Sequence, residues 1–323
     1  MPPIPDILLN IKQSDQCSEK NNDMVLKSLS DLKNIVIGNP RKKLVLAAAQ
    51  DQHSLGAVIR AWQDNIIEPI LIGDQYAIQT ICADNGYNID SLRIIHEPVT
   101  DLAVETAIKM LNGKQADVLM KGKVGTSILL KAVLNKEWGL RTGNLLSHIA
   151  LFEVDTYHKL IAVTDVAMNI APNLKDKIAI VNNSVSFLLK LGYVMPKVAV
   201  LGAVEMVNEN MEATLHAALL SKMNQRDQIK NCLIDGPLAF DNAISFESAH
   251  LKGIKSEVAG DTDLLLMPDI EVGNVLYKSL VFFAKAKVAS IILGAQVPIV
   301  LTSRSDSEQA KYDSILLSAA ASK

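Results

Sequence analysis

The strongest constraint on the fold of this chain is a regular alternation of short apolar runs with longer amphipathic segments. Continuous apolar runs indicate buried strands, and the segments between them have the length and periodicity of helices. The alternation predicts strands at 43–48, 69–72, 93–96, 117–120, 145–152, 160–164, 197–201, 232–234, 264–267, 289–293 and 299–302. It predicts helices at 99–111, 174–191, 211–223 and 307–320, among others. Buried strands separated by helices are typical of a doubly wound α/β fold, which is the expected class.

Length and strand count both favour two domains. The chain has 323 residues, whereas one domain usually has roughly 150. Eleven strands also exceed what one open sheet usually carries, so we expect two sheets. Two connections without a helix, at 155–158 and 294–298, are natural crossing points between domains. The expected architecture is therefore two three-layer (αβα) domains with an active-site cleft between them.

The expected boundaries follow from these crossing points. Residues 1–142 together with 290–323 are predicted to form the first domain, and residues 143–289 an inserted second domain. Residues 1–40 are more polar than the rest and are expected to form a peripheral N-terminal arm.

Composition excludes several classes of protein. The 32 basic and 35 acidic residues give a net charge of −3, which is unlike the basic excess of a nucleic-acid binder. The three cysteines, Cys17, Cys82 and Cys232, are far apart, which argues against a disulfide framework or a zinc site and favours a reducing cytoplasm. The uncharged stretch at 288–303 is shorter than the roughly 20 residues of a membrane-spanning helix. Neither nucleic acid nor a membrane is expected as a partner.

Polar residues and glycines follow most of the predicted strands, where ligands of parallel α/β sheets bind. Such residues also cap helices and form turns, and that structural explanation stays open for each aspartate. The Gly- and Lys-rich segment 121–127 suits an anion, but GxGxxG and P-loop fingerprints are absent. His148 is the histidine whose position most favours a functional role.

Several motifs together resemble the phosphate acetyl/butyryltransferase family, with greater similarity to its phosphate butyryltransferase branch. The motifs are LMKGKVGTSILLKAVL (119–134), GLRTGNLLSHIALFE (139–153), VTDVAMNIAPNLKDKIAIVNNSV (163–185), PKVAVLGAVEMVN (196–208), IDGPLAFDNAIS (234–245), VAGDTDLLLMPDIEVGNVLYKSL (258–280) and GAQVPIVLTSRSDS (294–307). The resemblance runs in order from about Lys43 to the C-terminus.

The resemblance implies reversible transfer of a short acyl group between coenzyme A and inorganic phosphate. Acyl-CoA, CoA, phosphate and acyl phosphate would be the substrates and products, and no metal or other cofactor is expected. It also implies a homodimer or higher homo-oligomer. The branch, together with small residues at Ala239, Ala243 and Ala259, favours butyryl over acetyl groups.

The implied chemistry needs fixed positive charge, a donor at the carbonyl oxygen and an acceptor for the thiol proton. Arg304 would hold phosphate with its fork of donors, and Ser303 would donate to the carbonyl oxygen. By analogy with acetyl-transferring members, an acid beyond this pair would take the thiol proton. Asp306 is our choice and Glu308 the alternative. Direct transfer in a ternary complex is expected.

The same motifs supply candidate binding residues. Those expected to hold phosphate are Lys121, Gly122 and Thr126, and those expected to face the cleft from the domain junction are Arg141, Ser147 and His148. Those expected to shape the acyl or CoA pocket are Asp235, Gly236, Pro237, Gly260, Asn274 and Lys278, and Asp165 and Asn169 are additional candidates.

Two other functions stay open on the sequence. An NAD-linked decarboxylating dehydrogenase has a similar two-domain architecture, but it would need aspartates grouped on a helix face for metal, and we find none. The other is a non-catalytic α/β binding protein.

Overall fold

The computed structural model describes residues 26–303 and 306–322. They form a mixed α/β fold, which confirms the predicted class. The strands are β1 (Lys42–Ala47), β2 (Ile67–Gly73), β3 (Arg93–His96), β4 (Val118–Lys121), β5 (Ser147–Glu153), β6 (Ile161–Thr164), β7 (Lys197–Leu201), β8 (Leu233–Leu238), β9 (Leu264–Leu266), β10 (Lys287–Leu293) and β11 (Ile299–Val300). The helices are α1 (Asp31–Val36), α2 (Gln52–Gln63), α3 (Gln75–Asp84), α4 (Thr100–Asn112), α5 (Thr126–Val133), α6 (Leu174–Lys190), α7 (Glu212–Gln225), α8 (Phe240–Ile244), α9 (Phe246–Leu251), α10 (Ile270–Phe282) and α11 (Glu308–Ala321).

All eleven strands belong to one sheet, in the order β3-β2-β1-β4-β11-β10-β5-β6-β9-β7-β8. The expectation of two separate sheets was therefore wrong. The reason lies at the centre, where β10 pairs with β5 along its whole length and with β11 at Ile292 and Ile299. These pairings join two groups of strands that the strand count alone would separate.

The two connections without a helix each join antiparallel neighbours, β5 with β6 and β10 with β11. β5 pairs with β6, and β10 with β5 and β11, in antiparallel fashion, while every other pairing between these strands is parallel. The strand order places residues 42–121 and 299–300 on one side and residues 147–293 on the other. Because the sheet is continuous, the division into residues 1–142 plus 290–323 and residues 143–289 stays a prediction.

The two faces of the sheet are covered differently. On the first face, α1, α2, α3, α6, α7 and α11 share one continuous core, to which β1 contributes Leu44 and Leu46. On the second face, α4 and α5 cover one core around Val45 and Ala47. A separate core under α8, α9 and α10 contains Ala150 and Phe152. Leu44 and Leu46 lie on one face and Val45 and Ala47 on the other, because alternate residues of a strand point to opposite faces. On the second face, the break between the two cores leaves space over the middle of the sheet.

Residues 26–36, part of the expected peripheral arm, are packed into the core of the first face. Leu26, Leu29 and Leu32 are fully buried there. The backbone N–H of Leu160 donates to the carbonyl oxygen of Leu26 at 2.9 Å, and the N–H of Leu29 donates to Glu153 at 2.9 Å. Residues 1–25 of that arm lie outside the described residues.

No helix in the part of the chain that the structure describes combines the length and the apolar character needed to cross a bilayer.

Candidate active site

A cavity of about 270 Å³ lies on the second face, between its two cores. Six of the predicted site residues line it: Thr126, His148, Asn274, Lys278, Ser303 and Asp306. Its other lining residues are Val166, Ala167, Met168, Tyr277, Ser290, Leu301 and Thr302. The cavity therefore combines donors, a cation, a carboxylate and an apolar patch, drawn from both groups of strands.

Ser303 and Asp306 are connected by the turn that follows β11. The N–H of Ser303 donates to Oδ2 of Asp306 at 2.6 Å, and the N–H of Asp306 donates to the carbonyl oxygen of Ser303 at 3.2 Å. Arg304, the predicted phosphate ligand between them, lies outside the described residues. Ser303 and Asp306, on either side of it in the sequence, both line the cavity.

The alternative acid, Glu308, points away from the cavity. A Cβ built on Gly56 in α2 would collide with the Glu308 carboxylate, so that carboxylate lies against α2. The same carboxylate is close enough to Tyr87 to raise the pKa of its phenol, in addition to the larger effect of burial. Of the two acids, Asp306 is the one on the cavity wall.

Lys311 of α11 is hydrogen-bonded to Thr302 and Ser303, next to Asp306, and the sequence did not indicate it as a site residue. Its ammonium donates to Oγ1 of Thr302 at 3.1 Å and to the carbonyl oxygen of Ser303 at 3.0 Å. Burial lowers the pKa of Lys311, while the charges of Asp51 and Asp306 act in the opposite direction. α11 is buried from Lys311 to its end. A lysine on a helix is usually exposed, so nothing in the sequence marks this one as buried.

The loop after β6 forms another wall of the cavity, and Asp165 organises it. Its Oδ1 accepts from the N–H groups of Ala167 and Met168 at 2.8 and 2.9 Å. Its Oδ2 accepts from the N–H of His148 at 3.2 Å and from Nδ2 of Asn169 at 2.5 Å. Asp165 and Asn169 thus support the cavity wall, and neither is among the residues that line it.

α10 supplies the remaining polar groups. Nδ2 of Asn274 donates to the carbonyl oxygen of Val166 at 3.4 Å, which ties the helix to the loop after β6. The Lys278 ammonium lies 5.2 Å from the centre of the Tyr277 ring. Burial raises the pKa of Tyr277, and the charge of Asp306 raises it further, so this phenol stays a neutral hydrogen-bonding group.

Several predicted residues lie elsewhere. Ser147 and His148 are neighbours on β5 and therefore point to opposite faces, so Ser147 accepts from Nδ2 of Asn183 in α6 at 3.0 Å on the first face. Arg141 is exposed, pairs with Ala295, and does not line the cavity.

Lys121 is the last residue of β4 and Gly122 follows it, and neither lies in the cavity wall. The buried ammonium of Lys121 donates to the carbonyl oxygens of Gly122 and Val124 at 3.3 and 3.4 Å. A Cβ on Gly122 would collide with the backbone of Ala48, so this glycine permits close packing of the turn on β1. Of this segment, Thr126 at the start of α5 is the residue that reaches the cavity.

Asp235, Gly236 and Pro237 belong to β8, at the edge of the sheet. Three strand spacings separate β8 from β6, which at about 4.8 Å each is roughly 14 Å. A Cβ on Gly236 would lie 2.7 Å from the carbonyl oxygen of Val200, and one on Gly260 would lie 2.5 Å from Cα of Phe246. The structure gives both glycines a packing role, and any contact with substrate stays a prediction.

Two further observations concern possible ligand sites. No group of three or more His, Cys, Asp or Glu side chains suited to a metal ion occurs within residues 26–303 and 306–322. A second cavity, of about 480 Å³, lies beside α6 and residues 293–298, and none of the predicted site residues lines it.

Comparison with known proteins places these features in one family. Residues 86–319 match the family model described as phosphate acetyl/butaryl transferase. The chain is 45% identical over 295 residues to phosphate butyryltransferase from Clostridium acetobutylicum, covering 91% of this chain and 98% of that protein. It is 46% identical over 278 residues to phosphate acetyltransferase from Thermotoga maritima, covering 86% and 94%.

A solved structure supports the same assignment. The branched-chain phosphotransacylase from Enterococcus faecalis superposes with a TM-score of 0.77 at 32% identity, covering 87% of this chain and 99% of that one. On the family match and these relatives, the chain belongs to the phosphate acetyl/butyryltransferase family.

Proposed function

We propose that this chain transfers a short acyl group reversibly between coenzyme A and inorganic phosphate, with butyryl preferred over acetyl. The observation that carries the proposal is the joint placement of Thr126, Asn274, Lys278, Ser303 and Asp306 around one cavity. The names of the relatives, a phosphate butyryltransferase and a phosphate acetyltransferase, support the reaction class.

The chemistry requires two anionic partners to meet at a carbonyl carbon. Lys278 supplies positive charge at the cavity, and Arg304 is proposed to add a second cation that holds phosphate with two parallel hydrogen bonds. Ser303 is proposed to donate to the carbonyl oxygen as it gains negative charge. Asp306 supplies the carboxylate that supports removal of the thiol proton. With both substrates held in one cavity, direct transfer needs no covalent acyl-enzyme.

The acyl chain is proposed to lie against the apolar part of the cavity wall, formed by Val166, Met168 and Leu301. The three alanines on which the sequence analysis relied do not line the cavity, and Ala243 and Ala259 belong to the core of the second face. The preference for butyryl therefore rests on the apolar wall and on the resemblance to the butyryltransferase branch.

Release of free thiol tests the reaction directly. The purified protein is mixed with butyryl-CoA and phosphate, and free thiol is followed spectrophotometrically. We expect release that requires phosphate, and consumption of CoA when butyryl phosphate is supplied instead. Binding of butyryl-CoA without release of thiol would contradict the proposal and favour a binding protein.

We propose that the protein forms a homodimer or larger homo-oligomer through the surface around α8 and α9. Met206, Phe246 and Leu251 expose 73, 73 and 77% of their area there. Lys252 links this region by ion pairs to Glu205 at 3.6 Å and Asp241 at 3.3 Å. Exposed apolar surface of this kind is typical of protein interfaces.

Light scattering after size exclusion tests this assembly. The wild type is expected to elute as an oligomer, and Phe246→Asp with Leu251→Asp as a monomer. A wild-type monomer, or an oligomer unaffected by the two substitutions, would contradict the assignment.

We further propose that the protein works in the cytoplasm. The free thiols of Cys82 and Cys232 support this proposal.

A further inference from the structure

His148 occupies a different position from every other histidine of the described chain, because it is buried and also lines the cavity. It is 4% exposed, near the start of β5, and its side chain points to the second face. Its imidazole shares the cavity wall with Ser303 and Asp306. The ring lies edge-on to Tyr277, with the centres of the two rings 6.3 Å apart.

The backbone N–H and carbonyl groups of His148 both have hydrogen-bond partners, but Nδ1 of its ring has none among the described residues. Its N–H donates to Asp165 at 3.2 Å, and its carbonyl oxygen accepts from Oγ1 of Thr164 at 2.9 Å. Nδ1 is buried and makes no hydrogen bond to any described residue. A buried nitrogen without a partner destabilises the folded state, so a polar ring here calls for an explanation other than folding.

Burial keeps the ring of His148 neutral, while the carboxylates around it allow it to accept a proton. Burial lowers the pKa of His148 below the ordinary imidazole value of 6.5, while the carboxylates of Asp165 and Asp306 act in the opposite direction. Asp165 reaches it from the loop after β6, Asp306 from the turn before α11, and the Tyr277 phenol from α10. At neutral pH the imidazole is therefore unprotonated, with two carboxylates near enough to stabilise the imidazolium.

We infer that the imidazole of His148 takes the proton from the thiol of coenzyme A as that sulfur attacks the acyl phosphate. The inference rests on the proposed function and refines it, because Asp306 then stabilises the imidazolium and does not receive the thiol proton itself. A neutral imidazole is a stronger base toward a thiol than a carboxylate is.

The step balances without any further reactant. The sulfur forms a bond to the carbonyl carbon, the bond from that carbon to the phosphate oxygen breaks, and phosphate leaves with the bonding electron pair. The proton passes from sulfur to His148 and then to the departing phosphate, so thiol and acyl phosphate dianion give thioester and hydrogen phosphate dianion. In the reverse direction the imidazolium protonates the departing thiolate.

The test compares rates of thioester formation from butyryl phosphate and CoA between pH 6 and 9.5. Without its base, His148→Asn should lose about 10²- to 10⁴-fold in kcat at pH 7, the usual contribution of a general base. Below the pKa of the thiol, the rate of the variant should then rise about tenfold per pH unit as free thiolate forms. His216→Asn is the matched control, since His216 is a largely buried histidine on α7 that does not line the cavity.

Each outcome separates the inference from the proposed function. A wild type without activity contradicts the proposed function. If the wild type is active and His148→Asn keeps the wild-type rate, the role of His148 is overturned and the proposed function stands. The same holds if His148→Asn loses activity equally at every pH. If His148→Asn does not fold, Asp306→Asn decides. Loss of that carboxylate should shift the acid limb of kcat/KM to lower pH, whereas disappearance of the limb would make Asp306 the proton acceptor.

Discussion

The Lys311 ammonium donates a 3.0 Å hydrogen bond to the carbonyl oxygen of Ser303 and so anchors the turn that carries the proposed phosphate ligand. Lys311→Met should keep the fold, since methionine fills much of the same buried space. It should lower kcat about tenfold or more, because the turn loses the hydrogen bonds that fix Ser303. Steady-state kinetics with butyryl-CoA and phosphate measure this loss.

The control for Lys311 is Lys190→Met. Lys190 also donates from a helix to a backbone carbonyl, that of Ala321 at 3.1 Å, but it lies outside the cavity wall. Its loss should leave kcat within about twofold of wild type. Equal kinetic losses in the two variants would show that Lys311 has no special connection to the turn.

A comparison of alanine variants at Gly260 and Gly253 tests whether Gly260 serves packing. Both have positive φ, +80° and +68°, but a Cβ on Gly260 would lie 2.6 Å from the backbone nitrogen of Phe246, whereas Gly253 has nothing within 4 Å. Gly253→Ala should cost roughly 1–2 kcal/mol of unfolding free energy for the backbone conformation. Gly260→Ala should cost roughly 1–3 kcal/mol more for the overlap.

Denaturant titration measures both glycine variants, and kcat is normalised to the folded fraction. If Gly260 only packs, kcat per folded molecule should match wild type. A normal stability with a reduced kcat would instead indicate that Gly260 contacts substrate, as its place in the sequence motif predicts.

The preference for butyryl over acetyl groups should result from contact of the longer chain with the apolar wall of the cavity. Each buried methylene contributes about 0.8 kcal/mol, so two more should favour butyryl over acetyl by roughly tenfold in kcat/KM. Steady-state kinetics with acetyl-, butyryl-, isobutyryl- and valeryl-CoA measure it. A clear preference for acetyl-CoA would remove the butyryl assignment and leave the reaction class intact.

The buried pair of Lys177 and His216 should make stability depend on pH. Nζ of Lys177 lies 3.1 Å from Nδ1 of His216, and burial followed by the lysine charge lowers the pKa of His216 below 6.5. The unfolded chain therefore binds this proton more readily than the folded one. The contribution to stability is complete above pH 6.5 and is lost as the pH falls toward the folded pKa.

Unfolding free energies at pH 7, 6 and 5 measure that dependence. His216→Gln should flatten the decline by at most about 1.4 kcal/mol per pH unit. Lys177→Met should flatten it too, because the pKa of His216 then rises toward its ordinary value. An unchanged slope in both variants would contradict the proposed cause.

The strand positions could be predicted because a continuous apolar run indicates a strand that is buried on both faces of a sheet. All eleven predicted strands overlap observed ones, and β3 and β7 agree at both ends. Sheet continuity could not be predicted, since it depends on the pairing of β10 with β5, residues that lie more than 130 positions apart. Pairing across such distances has no local signal in the sequence.

The candidate site was predictable where a motif reaches the cavity directly, as at Ser303, Asp306 and Asn274. It was not predictable where the strand register decides which side chain faces the cavity. On β5 the side chain of His148 faces it, and that of the adjacent Ser147 does not. Gly236 and Gly260 resemble ligand-binding glycines in sequence, but only the structure shows the backbone atoms packed against them. Lys311 is hidden for another reason, since a lysine on a helix is usually exposed.

The most direct test of the acyl-transfer account is the stoichiometry of products formed from butyryl-CoA and phosphate. Free thiol is measured by a colorimetric reagent, and butyryl phosphate by its conversion to a hydroxamate. The account predicts one acyl phosphate for each thiol, and a loss of about 10²-fold or more in both for folded Arg304→Gln. Thiol release without acyl phosphate, or a near-normal kcat in Arg304→Gln, would contradict it.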